Sequence, residues 1–144
     1  MGDARAVVEE KVRLRNADDR EGSAALFDER CELEGPGGLK FTGPDGWREM
    51  FDLWRAAFPD NALRDVVIRA AGDLCVEEAR FVATHTGALH TPTRVIPPTG
   101  SEVDLRYSIV HTVENGRITS FHLYFDQAEM LMQLGLMPLP AAAG

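Results

Sequence analysis

Four polar side chains alternate near the C-terminal end of the chain: Ser120, His122, Tyr124 and Asp126. Residues two apart on a strand share a face. These four therefore share one face, and Phe121, Leu123 and Phe125 share the other. The polar face suits a cavity lining, and the apolar face suits packing or a subunit interface. Asp126 is the candidate acid/base. A carboxylate at the mouth of an apolar pocket loses hydration, which raises its pKa. Such a group can take a proton from the carbon beside a carbonyl and return it to an aldol oxygen. Asp126 also directly precedes Gln127 and is placed to cap a helix starting there. Both roles can coexist.

His85 is the second candidate. Phe81, Ala83, His85 and Gly87 fall on one strand face, and the small residues beside His85 leave room for a ligand. One reading pairs His85 with Asp126, the carboxylate orienting the imidazole or the imidazole tuning the carboxylate. The other is a core histidine satisfied by a backbone carbonyl. His122 lies four residues before Asp126, roughly 13 Å along a strand, and reads as a pocket-lining donor or a structural residue. His111 can face either way, and His90 sits in a loop.

Trp47 and Phe51 begin an aromatic helix and are candidates to stack on a planar substrate, as is Phe81 from the strand. Asn16 and Tyr124 are candidate hydrogen-bond donors to substrate oxygens. Asn16 is equally explained as the last residue of the first helix. Pro98-Thr99-Gly100 shapes a loop at the pocket mouth. No glycine-rich phosphate loop, serine elbow or HExxH motif occurs. The histidines and acids are not spaced as metal ligands, so no metal is expected.

The elements that must position these residues follow from hydrophobic period. Before Asn61 most segments repeat near 3.6 residues; after it they read as strands. A helix is predicted over Asp3 to Asn16, capped by Asp3, with Ala4, Val7, Val8 and Val12 as its stripe. A short helix covers Arg20 to Asp28 with Phe27 inward, and a strand follows around Cys31 to Glu34. Pro44 opens a third helix in which Trp47, Met50, Phe51, Trp54 and Phe58 share one face, and Pro59 stops it. Strands are predicted over Leu63 to Ala70, Leu74 to Leu89 with a bend or bulge near Glu77-Glu78, Glu102 to Glu114, and Arg117 to Phe125. Asn115-Gly116 is a type I′ hairpin signal. Gln127 to Leu134 forms a last helix ending at Gly135. Helices followed by strands give an α+β class with an antiparallel sheet. The expected architecture is one domain over residues 1–136, with N-terminal helices wrapping a curved sheet around an interior pocket. The tail Met137 to Gly144 is expected to be loose.

The 144 residues suit one domain, with 44% apolar and 26% charged side chains. A net charge of −8 with scattered basic residues argues against nucleic acid as a partner. No apolar run approaches the ~20 residues of a membrane helix. The charged N-terminus lacks a signal-peptide core. The expected location is therefore cytoplasmic, with no membrane partner. Cys31 and Cys75 read as buried free thiols. The apolar face of Phe121, Leu123 and Phe125, if outward, calls for self-association as a homodimer or higher homo-oligomer.

An ordered set of motifs resembles the SnoaL-like polyketide cyclases, within the nuclear-transport-factor-two-like superfamily of cone-shaped α+β folds. The set begins with Asn16 and Asp19 ahead of Leu26-Phe27, then Phe41-Thr42-Gly43-Pro44 and Phe58-Pro59-Asp60. It continues through Thr84-His85-Thr86-Gly87, Pro97-Pro98-Thr99-Gly100 and Asn115-Gly116-Arg117-Ile118. It closes with Tyr124-Phe125-Asp126-Gln127 and Gln133-Leu134-Gly135-Leu136. The resemblance spans Asn16 to Pro138. It implies a cofactor-independent enzyme that closes a ring by intramolecular aldol condensation of a polyketide-like aromatic carbonyl compound. By motif position the acid/base residue is Asp126, assisted by His85. The same superfamily hosts dehydratases, isomerases and non-enzymes. A non-catalytic small-molecule-binding domain and a two-histidine dehydratase or isomerase, like the scytalone dehydratases, are the alternatives.

Overall fold

A computed structural model describes residues 4–138. The predicted cap Asp3 and the tail beyond Pro138 lie outside the described residues. Helix α1 spans Ala4–Asn16 and buries Ala4, Val8, Lys11, Val12 and Arg15. This is the three-to-four spacing of a core face, with two cations on it. Helix α2, Arg20–Ala24, is capped by Asp19, whose carboxylate accepts from the Gly22 N–H. Helix α3, Gly43–Ala57, carries Pro44 and Asp45 in its first turn, where a missing N–H and a negative charge are both favourable. It buries Trp47, Met50 and Phe51.

Eight strands follow the chain: β1 (Phe27–Gly35), β2 (Leu39–Thr42), β3 (Ala62–Ala71), β4 (Leu74–Thr84), β5 (Leu89–His90), β6 (Val95–Ile96), β7 (Glu102–Glu114) and β8 (Arg117–Phe125). Six of them form one open sheet in the order β2-β1-β8-β7-β4-β3. All neighbours in it are antiparallel except β1 and β8. Helices α1 and α3 pack on its inner face, giving the cone-like α+β architecture. The short α4, Gln127–Gln133, ends near Gly135, whose φ of +77° suits glycine. Asn115 and Gly116 both take positive φ, 52° and 74°, as a type I′ hairpin turn requires.

Three local expectations need correction. Helix α2 stops at Ala24, and Phe27 opens β1 instead of closing a helix. Phe27 pairs with Ile118 across the sheet and stacks on Trp47 with ring centroids 4.8 Å apart. Those tertiary contacts outweigh a helical continuation. Second, β4 has no bulge near Glu77-Glu78; it ends at Thr84 and pairs with β7 unbroken from Leu74↔Thr112 to Thr84↔Glu102. The extra residue lies opposite, on edge strand β3 between Arg64 and Val67, where Asp65 takes φ 53°. An edge strand has one side free to bend, and a strand paired on both sides does not.

Third, the two faces of β8 are reversed relative to expectation. Phe121, Leu123 and Phe125 lie opposite His111, Ile109 and Tyr107 of β7 and face inward. His122 and Tyr124 take the outer face, Tyr124 being 56% exposed. Phe121 is buried, and Leu123 and Phe125 are half-buried against the core. Full burial of such a side chain contributes roughly 1.5–3 kcal/mol, and this preference decides the register. The apolar stripe assigned to self-association is therefore core.

Candidate active site

A cavity lies between helices α1 and α3 and the inner face of β4, β7 and β8. It measures about 80 Å³, within an open cleft of about 690 Å³ counted to its mouth. Its apolar wall includes Trp47, Phe51, Trp54, Phe81, Phe121 and Phe125. Four polar side chains break that wall: Lys11 and Arg15 from α1, Glu77 from β4, and Tyr107 from β7.

Glu77 is the centre of this cluster. The Lys11 ammonium donates to Glu77 Oε1 at 2.8 Å, and the Tyr107 hydroxyl donates to Oε2 at 2.5 Å. Lys11 is 2% exposed and Glu77 0%. The ammonium also stands 4.9 Å from the Phe121 ring centroid and 5.7 Å from that of Trp47, within cation–π range. Burial pushes the Lys11 pKa down, and the charge of Glu77 opposes that shift. Burial, then Glu77, holds the Tyr107 phenol far above its ordinary range, so it remains a neutral donor. Each carboxylate oxygen has more than one lone-pair direction. Glu77 can therefore keep both partners and still accept a further hydrogen bond.

His111 Nε2 lies 3.8 Å from Glu77 Oε1, too far for a hydrogen bond. Its Nδ1 is 3.1 Å from the Cys75 carbonyl, so Nδ1 carries the proton. Burial, then the Lys11 charge, holds this imidazole well below its ordinary pKa, and it is neutral. Arg15 stacks its guanidinium on Phe51, 5.2 Å from the ring centroid. Its burial, with Arg55 nearby, lowers its pKa to about 10.

Trp47, Phe51 and Phe81 line the cavity as the sequence suggests. The other candidates lie elsewhere. Asp126 is exposed and caps α4, accepting from the Glu129 N–H at 3.1 Å. His85 is buried at the end of β4 against Phe58. The Thr99 N–H donates to its Nδ1 at 3.2 Å, and Thr99 Oγ1 lies 2.9 Å away. His85 thus fastens the Pro97–Ser101 loop, and no hydrogen bond or ion pair joins it to Asp126, so the two do not form the pair expected from sequence. Burial lowers its pKa. Asn16 clamps the start of β3, donating to the Leu63 carbonyl at 3.0 Å and accepting the Leu63 N–H at 2.9 Å. His122 stands on the outer face, 3.3 Å from Glu34. Tyr124 is outside as well. Cys31 and Cys75 are free and buried.

Lys11, Arg15, Glu77 and Tyr107 escaped the sequence reading, although a signal exists. Val8, Lys11, Val12 and Arg15 follow helical spacing on one face. Glu77 and Tyr107 fall on the alternation that buries Cys75, Ala79, Leu105 and Ile109. A charge at an inward position of either period marks a buried polar site. Among the described residues, no three His, Cys, Asp or Glu side chains cluster as metal ligands. None of the described helices is long and apolar enough to cross a membrane.

An α+β cone with a mostly apolar cavity and a buried polar cluster is an architecture in which small-molecule sites are found. The family model for SnoaL-like polyketide cyclases matches residues 5–134, and the chain belongs to that family. No curated protein matches the sequence. Among solved structures, a candidate polyketide cyclase from Xanthomonas campestris pv. campestris is similar, with TM-score 0.80, 19% identity, and coverage of 91% of this chain and 96% of that one. IdmH, a candidate polyketide cyclase from Streptomyces antibioticus, has TM-score 0.74 and 24% identity, covering 92% of this chain and 98% of its own. A protein with a ketosteroid isomerase-like fold from Catenulispora acidiphila DSM 44928, solved with trimethylamine, has TM-score 0.74 and 18% identity, covering 90% and 92%. At these identities the likeness defines the fold.

Proposed function

We propose that the chain is a cofactor-independent enzyme that moves a proton at the α-carbon of an aromatic, polyketide-like carbonyl compound and closes a ring by intramolecular aldol addition. One observation carries this reading: a carboxylate, Glu77, held between Lys11 and Tyr107 inside an aromatic cavity. Glu77 takes the α-proton and an enolate forms. The enolate carbon attacks a second carbonyl of the same molecule, making one C–C bond. The proton returns from Glu77 to the new alkoxide, so the product is an isomer of the substrate. Lys11 has N–H groups beyond the one given to Glu77 and supplies positive charge where the oxyanion develops, while Tyr107, whose single O–H goes to Glu77, holds the carboxylate in place. The aromatic wall excludes water, which strengthens both interactions.

A second reading keeps Asp126 as the acid/base, in line with its motif position. It is supported by the flanking residues Phe125 and Met130, both of which line the cavity. In that reading His85 acts through the loop it fastens. A non-catalytic binding domain and a two-histidine dehydratase or isomerase are the further alternatives. Incubation with an aryl-substituted 1,5-diketone tests the reaction class. Ring closure appears as a product of unchanged mass, or of that mass less one water. Recovery of unaltered diketone, with binding detected, supports the binding domain instead.

A further inference from the structure

The charges around the cavity do not balance. Lys11 and Arg15 are both cations, and Glu77 is the one carboxylate among the lining residues. Glu77 is already committed to Lys11 at 2.8 Å and to Tyr107 at 2.5 Å. Arg15 is 6% exposed, and its Nη1 is buried with no hydrogen-bond partner among the described residues. Its guanidinium rests on the Phe51 ring, which offers a quadrupole and no acceptor oxygen. A second guanidinium, Arg55, stacks on the same ring at 5.6 Å and pairs with Asp18, and among the described residues no carboxylate forms an ion pair with Arg15. A buried guanidinium with an unused N–H is poorly solvated and strongly favours an oxyanion partner.

We propose that the ligand of this cavity carries a carboxylate that docks on Arg15, bringing one negative charge to a wall with one positive charge in excess. The aromatic body of such a ligand lies along Trp47, Phe51 and Trp54. The proposal names the substrate class for the site described above and rests on that reading for the site's identity. Arg15 is then the residue that selects acids over esters or amides. A guanidinium matches a carboxylate with two parallel N–H···O bonds, a geometry that a neutral amide does not reproduce.

Isothermal titration of the full chain with 2-naphthoate and with its neutral isostere 2-naphthamide tests this. Wild type should bind the acid at least about 10-fold more tightly, as loss of a charge-assisted bond in a dry site implies. Arg15→Gln should abolish that preference, and Arg15→Lys should retain part of it. Equal affinities in wild type overturn the proposal, as does failure of both probes to bind. An acid preference that survives in Arg15→Gln also overturns it, since the anchor would then be Lys11. The wild-type comparison stands even if Arg15→Gln does not fold. Acid-selective binding without any proton transfer leaves this inference intact and removes the enzymatic reading. Proton transfer at Glu77 without acid preference does the reverse.

Discussion

The Lys11 ammonium and the Glu77 carboxylate are 2.8 Å apart, and neither side chain is exposed by more than 2%. The pair joins the N-terminal helix to the middle of β4, 66 positions away in sequence. Two charges have left water to form it, which is costly unless the geometry is good and the remaining bonds are made. The Tyr107 hydroxyl supplies one of those bonds to the carboxylate.

Removing one partner should therefore hurt more than removing both. Lys11→Met strands a buried carboxylate and should lower the unfolding free energy by about 3–5 kcal/mol. The double variant Lys11→Met/Glu77→Gln should recover most of that loss, because a neutral amide tolerates the site. Urea denaturation of the two variants reads the difference. A loss below about 1 kcal/mol for Lys11→Met, the value of an exposed pair, would show that the pair is hydrated.

His111 should make the fold acid-sensitive. Burial and Lys11 hold its folded pKa well below the ordinary 6.5. In the window below 6.5 and above the folded value, the unfolded chain binds a proton that the folded chain refuses. Stability then falls as pH drops, by up to about 1.4 kcal/mol per pH unit from this one group. Unfolding free energies at pH 7, 6 and 5 should show this slope, and His111→Asn should flatten it. An unchanged slope in that variant assigns the sensitivity to other groups.

Much of this architecture is legible in the sequence. The recurrence of Trp47, Met50 and Phe51, the Asn115-Gly116 turn and the β-branched run of β7 mark their elements because local period and turn chemistry agree there. The inward face of β8 is not legible locally. Alternation separates Phe121, Leu123 and Phe125 from His122, Tyr124 and Asp126, but the β7 partner decides which set is buried. The polar cluster was hidden for a related reason. A lysine or glutamate ordinarily marks solvent, and Lys11 finds Glu77 only after α1 packs across the sheet.

Asn16 acts on the fold, by the geometry of its side chain. Its two bonds to the Leu63 backbone hold β3 against α1. Asn16→Ala should lower stability by about 1–2 kcal/mol, the sum of two modest hydrogen bonds. Affinity for 2-naphthoate should be unchanged once the fold is saturated with ligand. A stable variant with weakened binding would instead make Asn16 a substrate donor.

Asp126 should behave as a helix cap. Asp126→Ala removes the bond to Glu129 and should cost about 0.5–2 kcal/mol, while Asp126→Asn keeps an acceptor and should cost little. Thermal denaturation distinguishes them. Equal losses in both variants would mean that the negative charge, and not the cap geometry, is what stabilises α4.

The central claim, that Glu77 is the acid/base of the cavity, is tested most directly by α-proton exchange. Incubating 2-acetylnaphthalene in D₂O with the protein and following its methyl signal by NMR needs no knowledge of the natural substrate. Wild type should accelerate exchange, and Glu77→Gln should reduce that acceleration by about 100-fold or more, the usual contribution of a positioned general base. Asp126→Asn should exchange at the wild-type rate. Full exchange in Glu77→Gln, or its loss in Asp126→Asn, would contradict the account, and the second outcome would move the chemistry to Asp126.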